Sequence, residues 1–201
     1  MQISKRIALR ESELVTAALA ETIALHERLR QGDVSAVTEA AAAIFEALGQ
    51  GGRLLTFGNG GSAADAQHVA AEFVGRFLRE RPSLSAVALS TDTSVLTSIA
   101  NDYSFDQVFA RQIEALGRHG DVAFGISTSG RSANVIAGFT AARARGLKTI
   151  ALTGADGGAV GSLVDIHINV PSTSTPRVQE VHRTLLHVIC DLVERAFVER
   201  W

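Results

Sequence analysis

Several features that define whole classes of protein are scarce or absent in this sequence. It has one cysteine, Cys190, among 201 residues, which excludes an intrachain disulfide framework and a cysteine-rich zinc module. Its 19 basic and 21 acidic residues give a formal net charge of −2, which argues against general DNA binding, because such binding needs a basic surface. No apolar run reaches the ~18 residues of a membrane helix, and the first residues lack the apolar region of a secretory signal. We therefore expect a cytoplasmic protein without a nucleic-acid or membrane partner.

The first part of the chain is poor in glycine and proline and has a helical pattern. Apolar residues recur at roughly helical spacing over residues 3–29. Gly32 interrupts this pattern, and either Asp33 or Ser35 can cap a second helix that runs to Leu48. Two such helices cannot bury their apolar faces alone, so they must pack on the rest of the chain or on another copy of it. The pattern does not choose between these two alternatives.

The rest of the chain alternates short apolar runs with helical stretches. We therefore divide the sequence into a helical arm, residues 1–50, and one domain, residues 51–201. The apolar runs predict strands at 53–57, 85–89, 121–126, 148–152 and 165–170. The intervening patterns predict helices near 62–78, 93–116, 132–145, 157–163 and 177–199. This alternation is typical of an α/β fold with a parallel sheet covered on both faces, although spacing does not give the order of the strands.

Two unusual loops follow two of the predicted strands, and each opens a helix. The first, residues 58–62, reads GNGGS, and the second, residues 127–134, reads STSGRSAN. Ligands of open parallel sheets bind beyond the carboxyl ends of the strands, where helix starts offer free N–H groups to an anion. Either loop alone is compatible with a plain turn or a helix cap. Together, their glycines and hydroxyls predict a site for a phosphate monoester.

Nucleotide sites are the obvious alternative for a glycine-rich loop after a strand. The run Gly58–Ala63 formally matches G-x-G-x-x-A, but the acidic residue expected about 20 positions later is not at the end of the next strand. No G-x-x-x-x-G-K-[ST] sequence is present, which excludes a P-loop. The sequence therefore favours a small phosphorylated ligand over a nucleotide.

Groups suited to acid–base chemistry lie on the helices that follow the first loop and end the chain. His68 and Glu72 are four residues apart, so they share one helix face and could bind a metal, transfer protons or form a simple surface pair. The last helix carries His182 and His187, and periodicity does not show which of them is functional. Asn101 and the adjacent Asp102 mark a turn and could also bind sugar hydroxyls.

These residues form motifs that resemble those of a known family. The runs GNGGSAADAQH and GISTSGRSAN are similar to the two loops of SIS (sugar isomerase) domains. With AEFVGRF, AND, LTGADGG and RVQEVH, the chain resembles the phosphoheptose isomerases over nearly its whole length. The resemblance implies a flavodoxin-like, three-layer α/β sandwich with a mainly parallel five-stranded sheet, and a homotetramer in which the arm serves oligomerisation. It also implies conversion of sedoheptulose 7-phosphate to D-glycero-D-manno-heptose 7-phosphate, the first step of ADP- or GDP-heptose biosynthesis, as in lipopolysaccharide.

The resemblance also implies roles for individual residues. Glu72 and His187 match the catalytic acid/base pair. The family's substrate contacts match Asn59, Gly60, Gly61, Ser62, Glu72, Asn101, Asp102, Ser127, Thr128, Ser129, Ser132 and Gln179, of which the hydroxyl residues from Ser127 to Ser132 surround the phosphate. Members that contain zinc bind one ion per subunit, at positions that match His68, Glu72, Gln179 and His187. Pro176 departs from the best-known enterobacterial pattern, which has Asp there.

The spacing of two of these residues adds a geometric expectation. Gln179 and His187 lie about 12 Å apart along a helix axis, so one ion could not easily contact both. We therefore expect an unwound helix start or a second subunit to complete the site, which places it at a subunit interface. Two alternatives remain open: a DiaA-like, non-enzymatic tetramer that binds the replication initiator DnaA, and another SIS sugar-phosphate isomerase.

Overall fold

The computed structural model describes residues 2–200 and, within them, the side chains of residues 10–199. The chain divides into two units, residues 1–34 and residues 35–201. The first unit contains one long helix, α1 (Gln2–Gln31). It ends directly before Gly32, where the sequence loses its helical pattern. Within residues 2–200, no helix is both long enough and apolar enough to cross a membrane.

The second unit is built on a five-stranded sheet whose neighbouring strands are all parallel. Its helices are α2 (Ser35–Gly49), α3 (Gly61–Val74), α4 (Thr93–Asp102), α5 (Ala110–Leu116), α6 (Ala133–Ala144), α7 (Gly158–Gly161) and α8 (Thr175–Arg200). Its strands are β1 (Leu54–Gly58), β2 (Ala86–Ala88), β3 (Val122–Ser127), β4 (Lys148–Gly154) and β5 (Ile166–Val170), in the spatial order β2-β1-β3-β4-β5. This order is flavodoxin-like and confirms the predicted α/β sandwich.

Alternate residues of the strands supply two separate cores, one on each face of the sheet. Leu54 and Phe124 pack with α2, α3 and α8 on one face. Leu55 and Phe57 pack with α4, α5 and α6 on the other face. Both faces of the central strands are therefore buried, which explains why these strands read as continuous apolar runs. Because α2 contributes Ile44 to the first core, it belongs to the compact unit that carries the sheet; the oligomerisation role of residues 1–50 stays a prediction.

Two predicted helices end earlier than expected. The helix predicted over 93–116 is interrupted after α4, because Tyr103 leaves the helical region and Ser104 is extended. A short 3₁₀ turn, Phe105–Gln107, leads to α5. The helix predicted over 62–78 ends at Val74, since Gly75 has a non-helical backbone. Beyond it, the Phe77 N–H donates to the Glu194 carboxylate and not to a carbonyl of the helix.

Candidate functional site

The first loop joins β1 to α3 through Asn59 and Gly60. Gly60 has a φ of 55°, a left-handed value that favours glycine. The Asn59 Nδ2 group donates to Asn134 Oδ1 at 2.8 Å, and Asn134 Nδ2 donates to Asn59 Oδ1 at 2.9 Å. Asn134 lies at the start of α6 and is buried. This reciprocal pair of amides ties the first loop to the end of the second.

The second loop arranges its hydroxyl groups around the start of α6. Ser127 Oγ lies 3.3 Å from Ser132 Oγ and accepts a hydrogen bond from the Gly130 N–H at 3.2 Å. Ser129 Oγ accepts from the Arg131 N–H at 3.2 Å. Ser127 is buried, Thr128 and Ser132 are half-buried, and Ser129 is exposed. The hydroxyl groups predicted to bind phosphate therefore lie in one loop, beyond the carboxyl end of β3, where open α/β folds bind ligands.

Close backbone contact holds this loop against residues 157–158. Gly130 has a φ of +61°, and a Cβ added there would lie 1.9 Å from the Gly157 carbonyl oxygen. The Val160 N–H donates to the Gly130 carbonyl at 3.1 Å, and Arg131 forms an exposed ion pair with Asp156. Only glycine fits position 130 without moving one loop away from the other.

The start of α3 lies beside α8 and an open cavity. A Cβ at Gly61 would lie 2.3 Å from Gln179 Nε2, so the Gln179 side chain occupies the space that a larger residue would need. Arg183 Nε donates to the buried Asp65 carboxylate at 2.8 Å, and Arg183 Nη2 contacts the same oxygen. The cavity has a volume of about 580 Å³ and is lined by Gly61, Ala64, Asp65, Pro176, Gln179, Glu180 and Arg183.

Two helical turns further along, the structure brings three of the predicted residues together. His68 Nε2 lies 2.8 Å from His187 Nε2 and 3.4 Å from Glu72 Oε1. A hydrogen bond between two ring nitrogens requires that one carries a proton and the other does not. The His68 and Glu72 side chains are 29% and 20% exposed, so this cluster of groups is accessible from solvent. The hydrogen-bonded imidazole pair therefore lies where a small ligand can reach it.

The electrostatic surroundings keep His187 neutral. Burial lowers the pKa of His187, and the nearby His68 and Arg183 lower it further, against the opposing charges of Glu72 and Asp65. A neutral imidazole offers a lone pair and an N–H at the same time. At neutral pH, His187 is therefore suited to moving a proton in either direction.

The two histidines of α8 have different environments. His182 is fully buried, and its Nε2 donates to the Thr153 carbonyl at 3.0 Å. Its Nδ1 has no hydrogen-bond partner among residues 2–200, and burial lowers its pKa. His187 is the one that meets His68. The geometry thus separates two residues that periodicity left equivalent.

Asn101, Asp102 and Gln179 do not join the cluster of His68, Glu72 and His187. Asn101 Nδ2 donates to Asp102 Oδ1 at 2.8 Å at the exposed end of α4, and no hydrogen bond within residues 2–200 joins either side chain to the loops. Gln179 and His187 both lie inside the continuous helix α8, so the helix start is not unwound between them.

The donor set of His68, Glu72 and His187 has the chemistry of a zinc site. In the described part of the chain, however, no three His, Cys, Asp or Glu side chains are already arranged to hold a metal ion. Tetrahedral zinc with Zn–N bonds of about 2.0–2.1 Å would place two ring nitrogens about 3.3 Å apart. The 2.8 Å contact between His68 and His187 is shorter, so these side chains fit zinc after a small separation of the rings.

Comparison with known proteins identifies the family. The SIS domain family matches residues 19–154. The chain is 59% identical to the phosphoheptose isomerase of a Roseiflexus species over 78% of this chain and 79% of that one. It is 50% identical to the phosphoheptose isomerase of Thermodesulfovibrio yellowstonii, over 92% of each chain. The chain belongs to the phosphoheptose isomerase family of SIS domain proteins. The solved structure of the Neisseria gonorrhoeae phosphoheptose isomerase, 48% identical, superposes with a TM-score of 0.87 over 92% of this chain and 98% of that chain.

Sequence reasoning missed several residues around the site of this phosphoheptose isomerase family member. Asn134, Asp65 and Arg183 were not predicted as site residues, although each bonds a neighbour of the loops or lines the cavity. Their partners are far away in the chain, so no local pattern reveals them. Asn134 follows the hydroxyl-rich run directly, and this position at a helix start was the one available signal.

Proposed function

We propose that this chain interconverts sedoheptulose 7-phosphate and D-glycero-D-manno-heptose 7-phosphate. The observation that carries the proposal is the approach of Glu72 and His187 to one atom of His68, at 3.4 Å and 2.8 Å from its Nε2. Family membership supports the same reaction class, an aldose–ketose isomerisation. The product would supply ADP- or GDP-heptose synthesis for a heptose-containing glycan such as lipopolysaccharide.

The reaction needs two kinds of proton transfer and no net change in composition. One base removes a proton from C1 of the ketose and returns it to C2 through a cis-enediol. A second group moves a proton between the oxygens on C1 and C2. Glu72 takes one of these roles and the neutral His187 takes the other, while the His68 ring contacts both groups.

The loops hold the unreactive end of the substrate. In this proposal, the hydroxyls of Ser127, Thr128, Ser129 and Ser132 bind the phosphate together with the N–H groups at the start of α6. The sugar is contacted by Asn59, Gly60, Gly61, Ser62, Asn101, Asp102 and Gln179. Binding at this remote end converts affinity into orientation at C1 and C2.

A zinc ion is part of the proposal. His68, Glu72 and His187 would hold it, and Gln179 of another copy would be the fourth ligand, because within one chain Gln179 lies about 12 Å from His187 along α8. When bound, zinc would act as a Lewis acid toward the substrate oxygens. Metal analysis of the purified protein, followed by an assay of chelated and zinc-restored enzyme, tests this part. Full activity after complete removal of metal would contradict it.

The assembly is proposed to be a homotetramer with sites between subunits, in the cytoplasm. Within one chain, Gln179 and His187 lie about 12 Å apart along α8. A site that uses both residues would therefore take them from two copies of the chain. Exposed Leu14, Val15, Leu19 and Ile23 on α1 offer an apolar stripe for such contacts. Light scattering on the intact protein measures the mass, and a monomer at assay concentration would contradict this part.

Kinetics on sedoheptulose 7-phosphate test the central proposal. Glu72→Gln and His187→Ala should each lower kcat about 100-fold or more, because general acid–base catalysis contributes about that much. Glu114→Gln, an exposed change on α5 on the far face of the sheet, is the control and should leave kcat unchanged. Near wild-type kcat in either site variant would refute the assignment.

A panel of sugar phosphates in the same assay, together with a pull-down of the replication initiator, separates the alternatives. Turnover of a pentose or hexose phosphate but not of heptose phosphate would indicate another SIS isomerase. Absence of turnover with tight binding of the replication initiator would indicate the regulator. The presence of both Glu72 and His187 in one cluster favours an enzyme.

A further inference from the structure

Arg81 folds back over the end of the helix that carries His68 and Glu72. Its Nη2 donates to the Glu72 carbonyl at 2.7 Å, and its Nη1 donates to the carbonyls of Phe73 at 2.9 Å and Gly75 at 3.2 Å. The last carbonyls of a helix have no partner within the helix. The Arg81 side chain is only 2% exposed and fills this role at the end of α3.

Glu194 of α8 binds the segment that leads to Arg81. Its Oε1 accepts from the Phe77 N–H at 2.8 Å, and its Oε2 accepts from the N–H groups of Leu78 at 2.7 Å and Arg79 at 2.8 Å. Glu194 Oε1 also lies 3.5 Å from Arg81 Nε. Burial would raise the pKa of Glu194, but these amides and Arg81 outweigh it, so the pKa is lowered and the carboxylate stays ionised.

The pair links the two helices that form the acid–base cluster. Glu194 lies two helical turns beyond His187 and on the same face of α8. Arg81 holds the backbone of Glu72 itself. The two helices are therefore connected at two places. Arg81 and Glu194 join the Glu72 backbone to α8, and His68 joins the Glu72 side chain to His187 of α8.

We propose that Arg81 and Glu194 are positioning residues, which fix the last turn of α3 against α8 and so set the place of the Glu72 carboxylate relative to His187. This proposal rests on the proposed function. Both residues are buried away from the cavity, so they act through Glu72 and His187 and do not touch the substrate. Displacement of a reacting group by about 1 Å can lower turnover about 100-fold, which makes such a link kinetically visible.

Two variants and one control test the proposal. Arg81→Lys keeps the charge beside Glu194 but loses the planar fork that reaches several carbonyls. Glu194→Gln keeps the shape but replaces an acceptor oxygen with an N–H donor. Arg195→Gln, which removes an exposed partner of Asp191 on the same helix, is the matched control. The expected result is a kcat lowered 10- to 100-fold with KM within twofold in both variants, and unchanged constants in the control.

A spectroscopic arm separates this proposal from the proposed function. Nitrogen NMR of the imidazole rings in the intact, metal-free protein reports the hydrogen bond between His68 and His187 without any substrate. We expect this signal to weaken in Arg81→Lys while the thermal unfolding curve stays cooperative. Wild-type protein without isomerase activity would refute the proposed function alone. Variants with wild-type kcat, or with an unchanged ring signal, would overturn the positioning role.

Discussion

Replacing Gly130 by alanine tests whether the hydroxyl loop depends on close contact with residues 157–158. The left-handed φ of +61° costs an alanine about 1–2 kcal/mol. The new Cβ would also lie 1.9 Å from the Gly157 oxygen, whereas real Cβ atoms stay at least 3.0 Å from such neighbours. The loops must therefore separate by about 1 Å, which sacrifices the hydrogen bond from Val160 to Gly130, worth about 1 kcal/mol, and some packing. We expect a total loss of about 3–5 kcal/mol.

Gly120→Ala is a matched control for this experiment. Gly120 also has a positive φ, +89°, but a Cβ there would meet nothing within 4 Å. Its replacement should cost only the backbone part, about 1–2 kcal/mol. Urea unfolding of both variants measures the difference, and steady-state kinetics should show a raised KM only for Gly130→Ala. Equal losses of stability in the two variants would refute the reasoning.

Three further predictions concern buried polar groups. Burial, together with Glu72 and Glu194, raises the pKa of Cys190 to about 12, so iodoacetamide at pH 8 should label this thiol only after unfolding in urea; rapid labelling of native protein would contradict this. Burial lowers the pKa of His182, so only the unfolded chain takes up a proton as the pH falls below about 6.5. The free energy of unfolding should then fall by up to about 1.4 kcal/mol per pH unit, and His182→Asn should reduce this slope in urea titrations; equal slopes would be inconsistent with it. Asn134→Ala leaves the Asn59 amide without its partner and should cost about 1–3 kcal/mol by thermal unfolding and raise KM, unlike the exposed Glu114→Gln.

The sequence predicted the elements of the fold better than their arrangement. All five strands were found within two residues of their observed ends, and the central ones read as continuous apolar runs because they are buried on both faces. The order of the strands depends on contacts across the sheet, which spacing does not encode. The break after α4 depends on the backbone of Tyr103 and Ser104, within a stretch that still reads as helical.

The candidate site shows the same division between local and distant information. The two loops are visible because glycines and hydroxyls follow strands in adjacent positions of the chain. Arg81 and Arg183 contact carboxylates brought close by folding: Arg81 lies beside Glu194, and Arg183 bonds a carboxylate 118 residues away. Resemblance to a family pointed to His187 over His182, and the structure supplies a physical distinction between them.

The parallel pairing of α3 with α8 has a consequence for synthesis of the protein. Both loops and the His68–Glu72 pair emerge from the ribosome well before α8, which is the last element of the sheet-bearing unit. A nascent chain that stops before α8 therefore lacks Ile189 and Val193, which belong to the core that α2 and α3 share with the sheet. The core on that face, and with it the contact between His68 and His187, is completed only when translation has delivered the final helix, so a prematurely released fragment exposes apolar surface and is prone to aggregate.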